Sequence, residues 1–233
     1  MAVSKLERAY SRIREDILEG RLLPGQRLVV ETIARDLNMS PVPVREAIRR
    51  LQSDGLLQVE RNVGARVASL NIDEWEQAMQ ALALLDGFAF ADAATGMTPQ
   101  IIAQAHGINE RMREGIANPL SSAQVLGLNR QFHTTIYTAC ENSFVVDLVT
   151  RVWDRIDANR AIVSMYVATR LESAVEEHEQ LLEDLTVGKG PAALEHAARQ
   201  HNLNATVAFR RSANTMTIPP ADPAELQPKP TLV

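Results

Sequence analysis

The chain has 233 residues, 45% of them apolar, which exceeds one average domain and is enough for two hydrophobic cores. A single cysteine, Cys140, rules out a disulfide framework within the chain and fits a reducing, cytoplasmic setting, and the charged N-terminus lacks the apolar core of a signal peptide. Net charge is −5, yet residues 1–70 carry 12 Lys and Arg against 9 Asp and Glu, net +3, while the rest carries 12 against 20, net −8, so a polyanionic partner is permitted only at the N-terminal end.

A first helix is predicted from about Ser4 to Glu19, where Leu6, Tyr10, Ile13, Ile17 and Leu18 form an apolar stripe, with Gly20 ending it. Pro24-Gly25 is a turn signal that redirects the chain into a short helix at about residues 30–37. After a turn at Asn38-Met39, Ser40 caps a third helix reaching about Ser53, with Pro41 in the first turn, where its missing N–H costs nothing. Two short helices about a tight turn describe a helix-turn-helix. Asp54-Gly55 closes the third helix, and LLQVE and ARVASL then read as the strands of a hairpin, a wing whose turn contains Asn62 and Gly64.

Beyond the wing the period is helical. The run ALALLDGFAFADAA is interrupted by Asp86, Gly87 and Asp92 before it could cross a bilayer, so it reads as a buried helix and no membrane association is expected. Breaks at Thr95-Gly96, Asn118-Pro119, Glu141-Asn142, Tyr166 to Thr169 and Gly188 to Pro191 divide residues 73–211 into about six helices, with Thr98-Pro99 and Ser121-Ser122 as helix starts. The expected fold is mainly α: a winged helix-turn-helix with a small β-hairpin wing at 1–70, an all-α helical bundle at 71–213, and a proline-rich flexible tail at 214–233.

In a helix-turn-helix the second helix enters the major groove of DNA. Here that helix is SPVPVREAIRRL, with Val44, Ala47, Ile48 and Leu51 on one face and Arg45 and Arg49, four apart, on the other. Forked guanidinium groups suit guanine and phosphate, although Arg45 could instead brace the fold by pairing with Glu46 or Asp36.

The run from Ile13 to Val67, with its P-G turn, S-x-x-P-V-R-E-A core, D-G-L and wing glycine, resembles the winged-helix domain of GntR-family transcriptional regulators. The helical remainder resembles the FadR-type subgroup with an effector-binding FCD domain, so the likeness spans about residues 4–211. The resemblance implies DNA contacts at Arg35, Ser40, Arg45, Arg49 and the wing tip at Gly64. Many relatives have arginine and threonine after the serine, whereas Pro41 and Val42 stand here, so an operator sequence does not carry over.

All five histidines follow residue 100. His133, His178 and His201 lie on otherwise apolar helical faces and point inward, whereas His106 and His196 read as surface groups. Each inward histidine could be satisfied by a local hydrogen bond, or the three could meet as ligands in a bundle-core metal site. The FadR-type resemblance implies the second arrangement: a divalent metal, zinc first and nickel or manganese as alternatives, held by Asn129, His133, His178 and His201, with Asn129 where an aspartate would be expected. It also implies a small carboxylate effector beside the metal, with Arg151, Arg155 and Arg160 as candidates to hold it, each equally able to be a surface arginine.

Two rival functions are a helical metalloenzyme and an architectural DNA-binding protein. Absence of HExxH, of Glu-x-x-His pairs, and of an identifiable nucleophile, carboxylate pair or cofactor loop opposes the first, and the inward histidines oppose the second. A DNA-binding regulator is therefore expected, as a homodimer because paired half-sites of a palindromic operator in double-stranded DNA match a two-fold protein, and the resemblance implies a repressor responsive to a small acid.

Overall fold

The computed structural model describes residues 4–18, 21–60, 64–68, 72–158 and 160–215, without the side chains of 60, 72, 160–169 and 212–215. Gly20, Asn62 and most of the predicted tail lie outside the described residues. The N-terminal elements are α1 (Lys5–Leu18), β1 (Arg27–Leu28), α2 (Val30–Asp36), α3 (Pro41–Ser53), β2 (Leu57–Glu60) and β3 (Gly64–Val67). Six helices follow: α4 (Ile72–Ala93), α5 (Pro99–Ala117), α6 (Ser122–Tyr137), α7 (Ser143–Asp157), α8 (Arg160–Thr186) and α9 (Pro191–Thr215).

In the N-terminal part, the stripe Ala9, Ile13 and Ile17 of α1 packs with Val44, Ala47, Ile48 and Leu51 of α3, and Leu28, Leu57, Ala65 and Val67 of the sheet complete one core. The wing is antiparallel, pairing Gln58 with Arg66 and Val59 with Ala65. It carries a third strand that the sequence reading did not anticipate: β1 adds to the far edge of β3, pairing Arg27 with Arg66. Pro41 occupies the first turn of α3, but the Ser40 hydroxyl, expected to cap it, makes no capping bond. Gly64 opens β3 at φ 103°, a conformation that excludes most side chains.

The helical part has its own core, drawn from all six helices and including Trp75, Phe90, Met112, Phe132, Trp153, Leu182 and Phe209. Thr98 caps α5, and Ser121 with Gln124 forms a reciprocal capping box on α6. Gly87 lets α4 lie close to α9, since a Cβ there would come within 2.8 Å of the Glu195 carbonyl. One predicted break moves. The chain turns after α7 at Ala158, and α8 continues through Tyr166 to Thr169 without interruption. Ala158 is buried in the core of the N-terminal part, so tertiary packing fixes this turn, with no glycine or proline to announce it.

Ion pairs cross between the two parts. Arg14 of α1 grips Asp154 of α7 with two hydrogen bonds, and Arg130 of α6 reaches the same carboxylate at 2.6 Å and Asp157 at 2.7 Å. Asp54, at the end of α3, accepts from Tyr10 at 2.8 Å and from Arg151 of α7 at 3.1 Å.

Candidate metal centre and nucleic-acid interface

The inward histidines of α6, α8 and α9 meet. His133, His178 and His201 are all buried, and one ligand atom from each lies within 4.8 Å of the others. Ring centroids are 5.3 Å apart for His133 and His178, 5.2 Å for His133 and His201, and 4.8 Å for His178 and His201. Phe132 stacks flat on His178 at 3.8 Å and holds its plane.

Each imidazole is oriented from behind through Nδ1. His133 Nδ1 is 3.0 Å from Asp86 Oδ1, and His201 Nδ1 is 2.6 Å from Glu177 Oε2; a carboxylate only accepts, so both nitrogens donate. His178 Nδ1 is 3.2 Å from Asn109 Oδ1, an oxygen identified by the Asn109 amide donating to the Val175 carbonyl at 3.0 Å. The Nε2 atoms of His133 and His178 are buried and without a protein partner, and in the neutral tautomers that these bonds select they are bare of hydrogen. Neutral imidazoles with orphaned Nε2 lone pairs, backed by Nδ1 acceptors, form the donor set that zinc and similar ions take. Asn129 is buried one turn before His133 on the same face of α6.

Electrostatics keep His178 and His201 neutral. Burial, followed by the neighbouring His201, His133 and Arg170, pushes the His178 pKa well below 6.5. Burial also lowers His201, and outweighs the opposing pull of Glu177. For Glu177 itself burial acts upward, but hydrogen bonds from His201 and Arg170 hold the carboxyl down to about 2. Tyr137, raised well above 10.0 by burial and by Asp86, remains a phenol that donates to Asp86.

A pH dependence follows for metal-free protein. Below pH 6.5, the ordinary histidine value, an unfolded chain takes up protons at positions 178 and 201 that the native state resists, so stability falls as pH drops. The slope is about 1.4 kcal/mol per pH unit for each histidine. Urea midpoints of chelator-treated protein are expected to be flat above pH 7 and to decline clearly by pH 5.5; an unchanged midpoint would contradict neutral burial. Glu177 does not confound this window, because its contribution is lost only between 4.5 and about 2.

A cleft of about 220 Å³ between α8 and α9 reaches Glu177 and His201 from outside and is flanked by His196, Gln200 and Asn204. Larger clefts of about 470 Å³ lie between α5 and α6 and along the seam with the N-terminal part, lined by none of the three histidines. Arg151 and Arg155, expected beside an effector, are placed at that seam. The buried face of α7 is Val149, Trp153 and Ile156, so Arg151 extends to Asp54, and the Arg155 side chain passes 3.6 Å from the space a Cβ on Gly55 would fill. The side chain of Arg160 lies outside the described residues. Among the described residues, the guanidinium found at the histidines is Arg170, buried, bonded to Glu177 and to the His201 carbonyl at 3.1 Å. The sequence reading missed Asp86, Asn109, Glu177 and Arg170. A polar residue on an apolar helical face, the signal that found the histidines, was available for Asp86 and Asn109.

On the nucleic-acid side, α3 buries Val44, Ala47, Ile48 and Leu51 and exposes Arg45 and Arg49. Arg45 approaches Glu31 only to 3.5 Å, and both side chains are more than 60% exposed, so the pair contributes little and the guanidinium remains available. The bracing partners considered from sequence, Glu46 and Asp36, are not the ones used. Arg50 is the structural arginine of this helix, bonded to Glu7 at 2.8 Å and lying 4.0 Å over the Tyr10 ring. Arg35 and Ser40 are exposed beside the start of α3.

Among the described residues no helix is long and apolar enough to cross a membrane. Residues 5–67 match the model of bacterial regulatory proteins of the gntR family, and residues 76–204 match the FCD domain. The HTH-type transcriptional regulator YdhC of Bacillus subtilis is 24% identical over 193 residues, covering 83% of this chain and 86% of its own. A probable D-xylose utilization operon transcriptional repressor of Paenarthrobacter nicotinovorans is 28% identical over 188 residues, 80% of each chain. In fold, the chain is similar to Escherichia coli McbR/YncC, with a TM-score of 0.74 at 22% identity over 90% of this chain and 99% of the other.

Proposed function

Since the chain belongs to the GntR family and carries an FCD domain, we propose that it is a repressor whose helical domain holds a divalent metal and a small carboxylate, and whose winged helix reads a palindromic operator. It is a DNA-binding transcriptional regulator and not an enzyme. The observation that carries the sensor reading is the trio of buried histidines with orphaned Nε2 atoms at His133 and His178. His133, His178 and His201 would hold the metal with Asn129 as a fourth, neutral donor, zinc being the ion best matched and nickel or manganese also suited to imidazole and amide ligands. The metal supplies a positive centre at which an effector carboxylate completes the coordination. Arg170 presents a guanidinium at the His201 carbonyl, and the cleft at His201 opens toward solvent.

On the DNA side, Arg45 and Arg49 face the groove, Arg35, Ser40 and Gly64 flank it, and two copies of the chain present two heads to paired half-sites. Support comes from the exposed arginine face of α3, held in place by a core that uses none of those arginines. Arg45→Ala is expected to weaken binding to a duplex selected from a randomised library by about 1–3 kcal/mol at fixed salt. A titration in which Arg45→Ala binds that duplex as wild type does would remove the assignment. For the sensor, a thermal-shift series of organic acids with and without zinc tests the effector: the reading requires acids that stabilise only when zinc is present.

A further inference from the structure

The donor set His133, His178, His201 and Asn129 brings no negative charge, so a divalent ion there would keep both its charges in a poorly solvated core. Two carboxylates stand one step behind the imidazoles. Glu177, behind His201, is gripped by Arg170, so its charge is already offset. Asp86, behind His133, is fully buried on α4, and its partners among the described residues include no arginine or lysine: they are His133 Nδ1, the Tyr137 hydroxyl and the Asn202 amide. A buried carboxylate with no permanent cation bonded to it is hydrogen-bonded but not neutralised, which is costly unless positive charge arrives nearby.

Resting on the metal reading above, we propose that Asp86 is a positioning residue for the metal. By accepting the Nδ1 proton it fixes the tautomer of His133 that leaves Nε2 bare, and it supplies through the imidazole ring the negative charge that Asn129 does not bring. The local structure serves this role. Gly87 lets α9 approach closely enough for Asn202 to bond Asp86, and Tyr137, one turn after His133 on α6, binds the same oxygen that His133 uses. Asp86 is thereby locked in one rotamer behind one ring.

The test uses zinc alone, with the full-length protein. Zinc affinities are measured by chelator competition at pH 7.5 for wild type, Asp86→Asn, Asn129→Asp and the double variant, with cobalt(II) spectra as a second readout of the ligand field. Asp86→Asn is expected to weaken zinc about 10–100-fold. Asn129→Asp is expected to tighten it, and the double variant to return to within a few-fold of wild type. A role confined to folding would lower the melting temperature of the metal-free variant without changing the affinity or cobalt spectrum of the folded protein, and Asn129→Asp would restore nothing. Equal zinc affinity in wild type and Asp86→Asn, or a double variant as weak as Asp86→Asn, overturns the inference. Failure of wild type to bind zinc would instead overturn the metal reading itself. Should Asp86→Asn not fold, wild-type imidazole proton spectra decide: the His133 Nδ1–H resonance must be exchange-protected and shift downfield on zinc addition, and an unshifted resonance counts against the proposal.

Discussion

His178→Ala is expected to lower zinc affinity by more than the roughly 100-fold upper range for a supporting residue, because it removes a ligand outright. His178 is fully buried, its Nδ1 is tied to Asn109, and its plane is fixed by Phe132, so no ordered group stands ready to replace it. Two imidazoles then remain, on α6 and α9. Zinc at a hundred times its dissociation constant stabilises a native protein by about 2.7 kcal/mol. Wild type should therefore melt higher with zinc, and His178→Ala should show almost none of that rise. The variant also loses a packed ring, so its metal-free melting temperature will fall; the zinc-induced difference, not the absolute value, is the measure. Metal analysis of the purified variant beside wild type gives the same answer without melting. An undiminished zinc-induced rise would mean that the metal lies elsewhere.

The head was legible because its signals are local. Pro41 in a first turn, the spacing of Val44, Ala47, Ile48 and Leu51, and Gly64 at positive φ are each written within a few residues of where they act. Strand β1 was not, since two residues, Arg27 and Leu28, show no alternation and acquire strand geometry only by pairing with β3. For the same reason the α7–α8 turn lies before the break predicted at Tyr166 to Thr169: Ala158, at the end of α7, packs into the core of the N-terminal part.

The histidines were legible from periodicity, because an inward-facing polar residue stands out on an apolar stripe. Which support serves which histidine was not, because that depends on which helices become neighbours. Asp86 comes from α4 to serve α6, Asn109 from α5 to serve α8, and Glu177 from α8 to serve the histidine of α9 although it adjoins His178 in sequence. Asp86 looked from sequence like a mere interruption in an apolar run. Arg151 and Arg155 show the converse, a pair sharing one helical face whose direction only tertiary packing reveals.

Asp154→Ala is expected to destabilise the protein by about 2–3 kcal/mol, below the roughly 3–5 kcal/mol for breaking a fully buried pair because its partners retain some solvent. Asp154 is 7% exposed, and Arg14 and Arg130 are 27% and 18% exposed, so its removal strips a carboxylate from two guanidinium groups in a partly dry seam. Arg130 keeps Asp157, but Arg14 has no other carboxylate partner among the described residues. The Arg151–Asp54 pair cannot compensate, since Arg151 is 58% exposed and such pairs contribute at most about 1 kcal/mol. What is lost is the carboxylate that bridges Arg14 of α1 in the DNA-reading head to Arg130 of α6, the helix that carries Asn129 and His133 in the same turns. The two parts have separate cores, so weakening this tie should also separate their unfolding: calorimetry is expected to resolve two transitions in Asp154→Ala where wild type shows one. Zinc affinity should stay within a few-fold of wild type, because Asp154 bonds none of the three histidines. A variant that unfolds in a single transition at the wild-type midpoint would show that the seam does not depend on Asp154 and is held by contacts such as the apolar packing around Ala158.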